Sequence, residues 1–211
     1  MKKLLTEWRK YLITEAMKTP DDLPDGVHVE IEQRRGDLVG FSIEDTTTDA
    51  ANGTRGFLAI KPTEAHDGEC LNGYKVTISD ATSGWGPMLY DLALEWASKH
   101  GGGLMSDRNE VSKSAFNVWE YYDNQRPDVE SAQLDIRNKG DKIDADTFPD
   151  TNWDKLTPDT TADDCEQHSS LRWSFKTSTE VWSDQPTSRI YRIKGTPTTT
   201  RLRKLGKLKK K

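Results

Sequence analysis

Residues 74–122 read YKVTISDATSGWGPMLYDLALEWASKHGGGLMSDRNEVSKSAFNVWEYY, and their pattern decides the fold. Tyr74 to Ser79 alternates, with Tyr74, Val76 and Ile78 on one face and Lys75, Thr77 and Ser79 on the other, which predicts a strand. The next residues, SDATSGWGP, form a turn. Gly84 and Gly86 allow backbone geometry closed to other residues, and Pro87 suits the first position of a helix. Met88, Leu89, Leu92, Ala93, Trp96 and Ala97 then make one wide apolar face, and Gly101 after His100 marks the helix end. GGLM is a short second strand. Ser112 is the expected N-cap of a second helix, whose stripe is Ala115, Val118, Trp119 and Tyr122. The two strands are expected to lie parallel, with the first helix as a right-handed crossover. The turn opens that helix, so its N–H groups and the positive end of the helix dipole suit a phosphate. The same spacing also fits a tight strand-to-helix connection with no ligand.

Outward from this unit the chain is plainer. Leu4, Leu5, Trp8, Tyr11, Leu12 and Ala16 recur at helical spacing, so an amphipathic helix is expected over 3–17, stopped before Pro20. Val27, Val29 and Ile31 alternate with His28, Glu30 and Glu32. Arg35-Gly36-Asp37 turns the chain, and Leu38 to Ile43 returns as a hairpin partner. FLAIKP, 57–62, is a third strand, reached through a flexible link at TTTDAANGTRG. Residues 123–164 hold eleven aspartates and scattered apolar residues. They read as irregular, solvated chain with one short strand near Leu134 to Ile136. LRWSFK, 171–176, and RIYRIK, 189–194, alternate as strands. The expected organisation is an N-terminal amphipathic helix (1–20), one domain (21–195) and a basic C-terminal tail (196–211).

Composition excludes several classes. No apolar run is long enough to span a membrane. The opening MKKLL resembles the start of a signal peptide, yet Glu7, Arg9 and Lys10 interrupt the apolar core, so a cytoplasmic protein is expected. Two cysteines, Cys70 and Cys165, make no disulfide framework. Cys165 and His168 have a metal-compatible spacing but no second pair, so no metal site is expected. The formal charge is −5, and the last eleven residues carry seven cations and no acid, so residues 1–200 carry −12. An acidic body argues against nucleic acid wrapping around the domain, and the tail is left as the polyanion contact. That tail is expected either as a disordered, solubilising segment or as a weak basic helix through Leu202, Leu205 and Leu208, with Gly206 against the helix.

The order of elements resembles the GNAT superfamily of acyltransferases. DATSGWGPMLYDLALEWASKHGGGL is similar to that family's acetyl-CoA-binding core, and SKSAFNVWEYY to the helix after it. The resemblance covers roughly residues 25–125, with the C-terminal strands completing the sheet. It implies an α+β fold: a mixed, mostly antiparallel central sheet, helices on both faces and a splayed pair of parallel strands. It implies acetyl-CoA or another acyl-CoA, with its pyrophosphate on the turn formed by Ser83, Gly84, Trp85, Gly86 and Pro87, and its acyl group in the gap between the splayed strands. An acceptor amine, free or on a protein, would take the acyl group.

Asp107 is the candidate base or orienting group, Arg108 the candidate contact for phosphate or an acidic substrate, and Tyr122 the candidate proton donor to the thiolate. Trp85 is read as a platform for adenine or as packing, Asp107 and Arg108 also as a cap and its salt bridge, and Tyr122 also as core. Two family features are missing. Ala81 stands where the turn usually has Arg or Gln, and Trp119 stands where the last helix often carries tyrosine four residues after an alanine, here Ala115. GWGPMLYDLALE, LMSDRNEVSKSAFNVWEYY and a late DDC…H also resemble uncharacterised proteins of tailed bacteriophages, which implies a host-cytoplasmic or virion setting. Two functions are therefore expected as alternatives: an acyl-CoA-dependent N-acyltransferase, or a non-catalytic GNAT-like accessory or structural protein acting through its surface and tail.

Overall fold

The structure is a computed structural model, and it describes residues 17–34, 36–48, 53–63, 73–107, 111–133, 135–136, 164–165 and 186–210. The expected N-terminal helix (except Met17), the strand at 171–176, His168, Arg108 and most of the acidic segment lie outside the described residues. The elements in chain order are β1 (Val27–Gln33), β2 (Val39–Asp45), β3 (Thr54–Pro62), β4 (Tyr74–Ala81), α1 (Gly86–His100), β5 (Leu104–Met105), α2 (Lys113–Gln125), β6 (Val129–Gln133), β7 (Asp135–Ile136), β8 (Asp164–Cys165), β9 (Arg189–Ile193), α3 (Pro197–Lys204) and β10 (Leu208–Lys210).

The fold is α+β. An eight-stranded sheet has the order β10-β1-β2-β3-β4-β5-β9-β6, and β7 and β8 pair separately. The sheet is mixed: β10–β1 and β4–β5 are parallel, whereas β1–β2, β5–β9 and β6–β9 are antiparallel. The chain divides into two compact units. One comprises Met1–Ala59, Ile78–Ala93 and Thr196–Lys211, the other Ile60–Thr77 and Leu94–Gly195.

In the first unit, the period-two pattern of the hairpin does what it predicts. Val27, Val29 and Ile31 of β1, and Val39, Phe41 and Ile43 of β2, are all buried. They meet in register, with Val29 opposite Ile43 and Ile31 opposite Phe41. A side chain repeats its face every second residue, so one face of both strands collects the apolar groups. Leu58 and Ala59 of β3, and Met88, Leu89, Leu92 and Ala93 of α1, are buried as well. The strand β3 begins at Thr54, so the expected flexible link ends three residues earlier than the sequence suggests. Helix α1 begins at Gly86, which puts Pro87 in its second position rather than its first. The N–H is still one of the unpaired first-turn donors there, so proline costs no helical bond.

The basic C-terminal segment is folded, not disordered. Helix α3 starts at Pro197 and buries Leu202 completely. Gly206 does not break it, because it lies beyond the last helical residue with φ of +68°. That left-handed residue turns the chain at the helix end, where glycine is favoured. The Lys207 N–H donates to the Leu202 carbonyl at 2.9 Å, and the Val29 N–H to the Lys207 carbonyl at 2.8 Å. Leu208 then lies beside Val29 in the parallel register of β10 with β1. Arg201 is ion-paired with Asp21, and the Lys207 Nζ donates to the Leu23 and Pro24 carbonyls.

In the second unit, β9 pairs with both β5 and β6. Leu104 faces Tyr191 and Met105 faces Ile190, while five residue pairs join β6 to β9 from Val129↔Ile193 to Gln133↔Arg189. Gly103 has φ of +129°, and a Cβ there would come within 2.5 Å of the Tyr191 carbonyl oxygen, so only glycine fits this crossing. Ser112 caps α2 as expected, its Oγ accepting from the Ala115 N–H at 3.2 Å. The buried face of α2 is Phe116, Val118, Trp119 and Tyr122.

One expectation about β4 fails. Alternation groups Tyr74, Val76 and Ile78 on one face, and Val76 is buried, yet Ile78 is 55% exposed. Strand β5 is only two residues long, so β4 is paired on that side only at Tyr74 and Lys75. Beyond them, alternation alone does not secure a covering layer.

Substituting Leu202→Ala checks the structural role of the C-terminal segment. Deleting a fully buried leucine side chain costs about 2–5 kcal/mol, read as a lower midpoint in urea unfolding. An unchanged midpoint would contradict a docked α3.

Candidate functional site

The glycine turn belongs wholly to the first unit. Its shape is set by three sets of hydrogen bonds. The Trp85 N–H donates to the Thr82 carbonyl at 3.2 Å, which closes the turn. Thr82 is tied to β3, since its N–H and its Oγ1 both donate to the Arg55 carbonyl at 2.9 Å. On the other flank the Lys18 N–H donates to the Gly84 carbonyl at 3.0 Å. Gly84 has φ of +87°, a conformation that side-chain-bearing residues reach only under strain. Ser83 is exposed, and Gly84, Gly86 and Pro87 are half-buried.

Trp85 is 2% exposed. The indole points into the protein, and the Lys18 Nζ lies over it, 4.7 Å from the ring centroid. The side chain thus packs under a cation instead of standing free in the loop, and its buried area pins the start of α1. Lys18 also brings a positive charge to the turn, where Ala81 supplies none.

The strand behind the turn is held by a buried carboxylate. Asp45 Oδ2 accepts from Arg55 Nε at 3.1 Å and Nη2 at 2.5 Å, and Oδ1 accepts from the Thr47 N–H at 2.9 Å and Oγ1 at 2.5 Å. The Thr47 hydroxyl, the Arg55 guanidinium and the Thr47 N–H, in that order, hold the carboxyl down to about 2. Arg55 therefore joins Asp45 through its side chain and Thr82 through its carbonyl. Its neighbour Gly56 has no room for a side chain, because a Cβ would lie 2.9 Å from that of Ala81 and 3.0 Å from Leu89 Cδ1. This close approach sets β3 against the turn end of β4 and against α1. Ser79 of β4 adds a hydrogen bond to the Tyr90 hydroxyl of α1 at 3.1 Å.

The remaining candidate residues belong to the second unit. Ser106 is buried and donates to the Thr187 carbonyl at 3.0 Å, and Asp107 follows it, half-buried. Arg108 lies outside the described residues. Tyr122 is buried in an aromatic group. Its ring lies 6.0 Å from Trp119, edge to face, and 5.9 Å from Tyr191, with the Arg126 guanidinium 5.6 Å away. Trp119 stacks on Tyr191 at 5.3 Å and is itself buried. The Tyr191 hydroxyl donates to the Pro186 carbonyl at 2.7 Å. Burial first, and the Asp123 carboxylate second, raise its pKa well above that of a free phenol. Tyr191 is thus locked as a neutral donor at physiological pH.

Sequence reading found the turn and missed what holds it. Arg55 and Thr82 carry no motif, and Lys18 sits just beyond the expected helix. A separate cavity of about 360 Å³ on the β1–β3 face includes Glu30, Glu32, Arg34, Glu44 and Phe57 in its lining. Its carboxylates are matched internally, Glu30 by His28, Glu32 by Arg34 and Glu44 by Thr54.

Asp45 gives a pH-dependent test. Its folded pKa lies below the unfolded value of about 3.9, so its contribution is complete above that value and is lost as pH falls towards 2. Asp45→Asn should lower the melting temperature at pH 7 and flatten its dependence on pH between about 2 and 4. Parallel acid limbs for the two proteins would contradict the network. Gly56→Val should destabilise at every pH, by about 1–3 kcal/mol from overpacking.

No family model matches the chain, and neither a curated protein nor a solved structure matches it.

Proposed function

We propose that the protein binds an acyl-CoA at the glycine turn and transfers the acyl group to an amine, as a GNAT-like N-acyltransferase. One observation carries the reading. β4 continues from Val76 to Ala81 beyond its last partner in β5, and this stretch leads directly into the turn. Among the described residues no strand pairs with β4 past Lys75 on the β5 side, and a strand edge of this kind offers N–H and C=O groups to an extended ligand. Ile78 on it is the exposed large hydrophobic residue among those described. The combination suits a long, thin ligand with amide groups and an anionic head, which is the chemistry of pantetheine and its pyrophosphate. Lys18 beside Gly84 supports the anionic end. β9 and β6 following β5 in the sheet support the GNAT-like architecture.

In the reaction, the amine nitrogen attacks the acyl carbon, the carbon–sulfur bond breaks, the nitrogen loses a proton and the thiolate gains one. Asp107 is the candidate to receive the amine proton. Tyr122 is the candidate donor to the thiolate, although its ring is committed to packing against Trp119 and Tyr191. The acceptor is an amine of a small molecule or a protein.

A second reading has its own observation. Both tryptophans that bear on chemistry are buried, Trp85 at the turn and Trp119 where the family often has tyrosine. That favours a GNAT-like scaffold without turnover, as in an accessory or structural protein of a bacteriophage.

Calorimetric titration with acetyl-CoA tests the first reading. Saturable binding is expected, and Gly84→Val should weaken it about tenfold, because a β-branched residue resists the left-handed backbone by ~1–2 kcal/mol. No heat and no thermal shift at millimolar ligand would remove acyl-CoA from the account. Binding without acyl transfer to any amine, unchanged by Asp107→Ala, would select the second reading.

A further inference from the structure

The C-terminal segment carries a set of cations that the fold leaves unmatched. Among the described arginines, Arg34, Arg55, Arg126, Arg189 and Arg201 are ion-paired, and Arg192 bonds the Gly102 carbonyl. Among them only the Arg203 side chain makes no hydrogen bond or ion pair, and the side chains of Lys204, Lys209 and Lys210 make none either. All four are exposed, on α3 and β10. Two local effects account for part of this. Cations are favourable in the last turn of a helix, which suits Arg203 and Lys204. Lysines on an edge strand discourage pairing with another chain, which suits Lys209 and Lys210. Neither explains why four exposed cations fall within eight residues, 203–210, at one end of a chain whose first 200 residues carry −12. The packing of Leu202 and the pairing of β10 with β1 already order the backbone that carries them, so the main chain has little further ordering entropy to lose on binding.

We propose that this α3–β10 surface binds the phosphate backbone of nucleic acid, without reading sequence and with a preference for duplex. The apolar residues of the segment face inward: Leu202 is buried, and Leu205 and Leu208 are half-buried. No exposed apolar face is left to enter a lipid interface, which distinguishes this surface from an amphipathic membrane helix. Residues 196–211 contain no aromatic side chain, so the segment offers no aromatic platform for a base. Contact is then with phosphates alone, and the charge density of duplex exceeds that of a single strand. The acidic remainder of the chain confines the contact to this patch and keeps it weak.

Fluorescence anisotropy with a labelled 20-base-pair duplex of mixed sequence, between 50 and 200 mM NaCl, tests the proposal. Four phosphate contacts predict a slope of log K against log salt of about −3.6, hence a loss of roughly 100-fold over that range. R203Q/K204Q and K209Q/K210Q should each bring the slope to about −1.8. The first pair lies on the exposed face of α3, so it remains informative if the β10 pair disturbs the sheet edge. Absence of binding at 50 mM salt overturns the proposal, as do slopes unchanged in both variants. Binding to phosphatidylserine vesicles without binding to duplex overturns it in favour of a membrane.

Discussion

Arg55 is the residue on which the candidate site depends most. Its guanidinium neutralises the buried carboxylate of Asp45, and its carbonyl accepts both hydrogen bonds from Thr82. A buried carboxylate needs a full set of donors, and Asp45 has them from Arg55 and Thr47. One residue thus fixes the end of β2, the start of β3 and the entry to the glycine turn. Gly56 beside it lets the turn end of β4 and Leu89 of α1 come within contact distance. The turn is held from outside by β3 and Lys18, and from inside by the buried indole of Trp85. Such bracing is what a backbone site for an anion requires, because its donors must already point at the ligand when it arrives.

Much of this architecture was legible from the sequence. The hairpin of β1 and β2, the strand–turn–helix–strand–helix order from Tyr74 to Tyr122, the Ser112 cap and the strand at 189–193 follow from alternation, helical period and capping chemistry. Such signals are local, and local patterns survive folding when the tertiary contacts agree with them. Ile78 shows where alternation stops being informative. It obeys the period of its strand, but among the described residues a two-residue β5 leaves that strand without a partner on the side away from β3. The length of a partner strand is a non-local fact.

The C-terminal segment shows the opposite case. Charge and a glycine left solvated chain and a weak basic helix open as alternatives, whereas in the structure Leu202 docks a helix and Gly206 is the turn that sends β10 back along β1. Composition describes the surface of such an element and conceals its buried residues, Thr199 and Leu202. Trp85 was ambiguous in the sequence. An aromatic residue between two glycines fits a stacking platform or packing equally, and the buried indole decides for packing. The charge absent at Ala81 is offset in position by Lys18, which lies more than sixty residues earlier in the chain and so escaped any motif.

The central claim is that the open edge of β4 and the turn after it receive an acyl-CoA. Hydrogen–deuterium exchange with and without saturating CoA measures this directly, because the ligand would cover the N–H groups from Val76 to Gly86 that are not already bonded to β3 or within the turn. The account predicts slower exchange in peptides covering that stretch, with little change over β1 and β2. Unchanged exchange across Val76 to Gly86, at CoA concentrations that protect any other part of the chain, would contradict it.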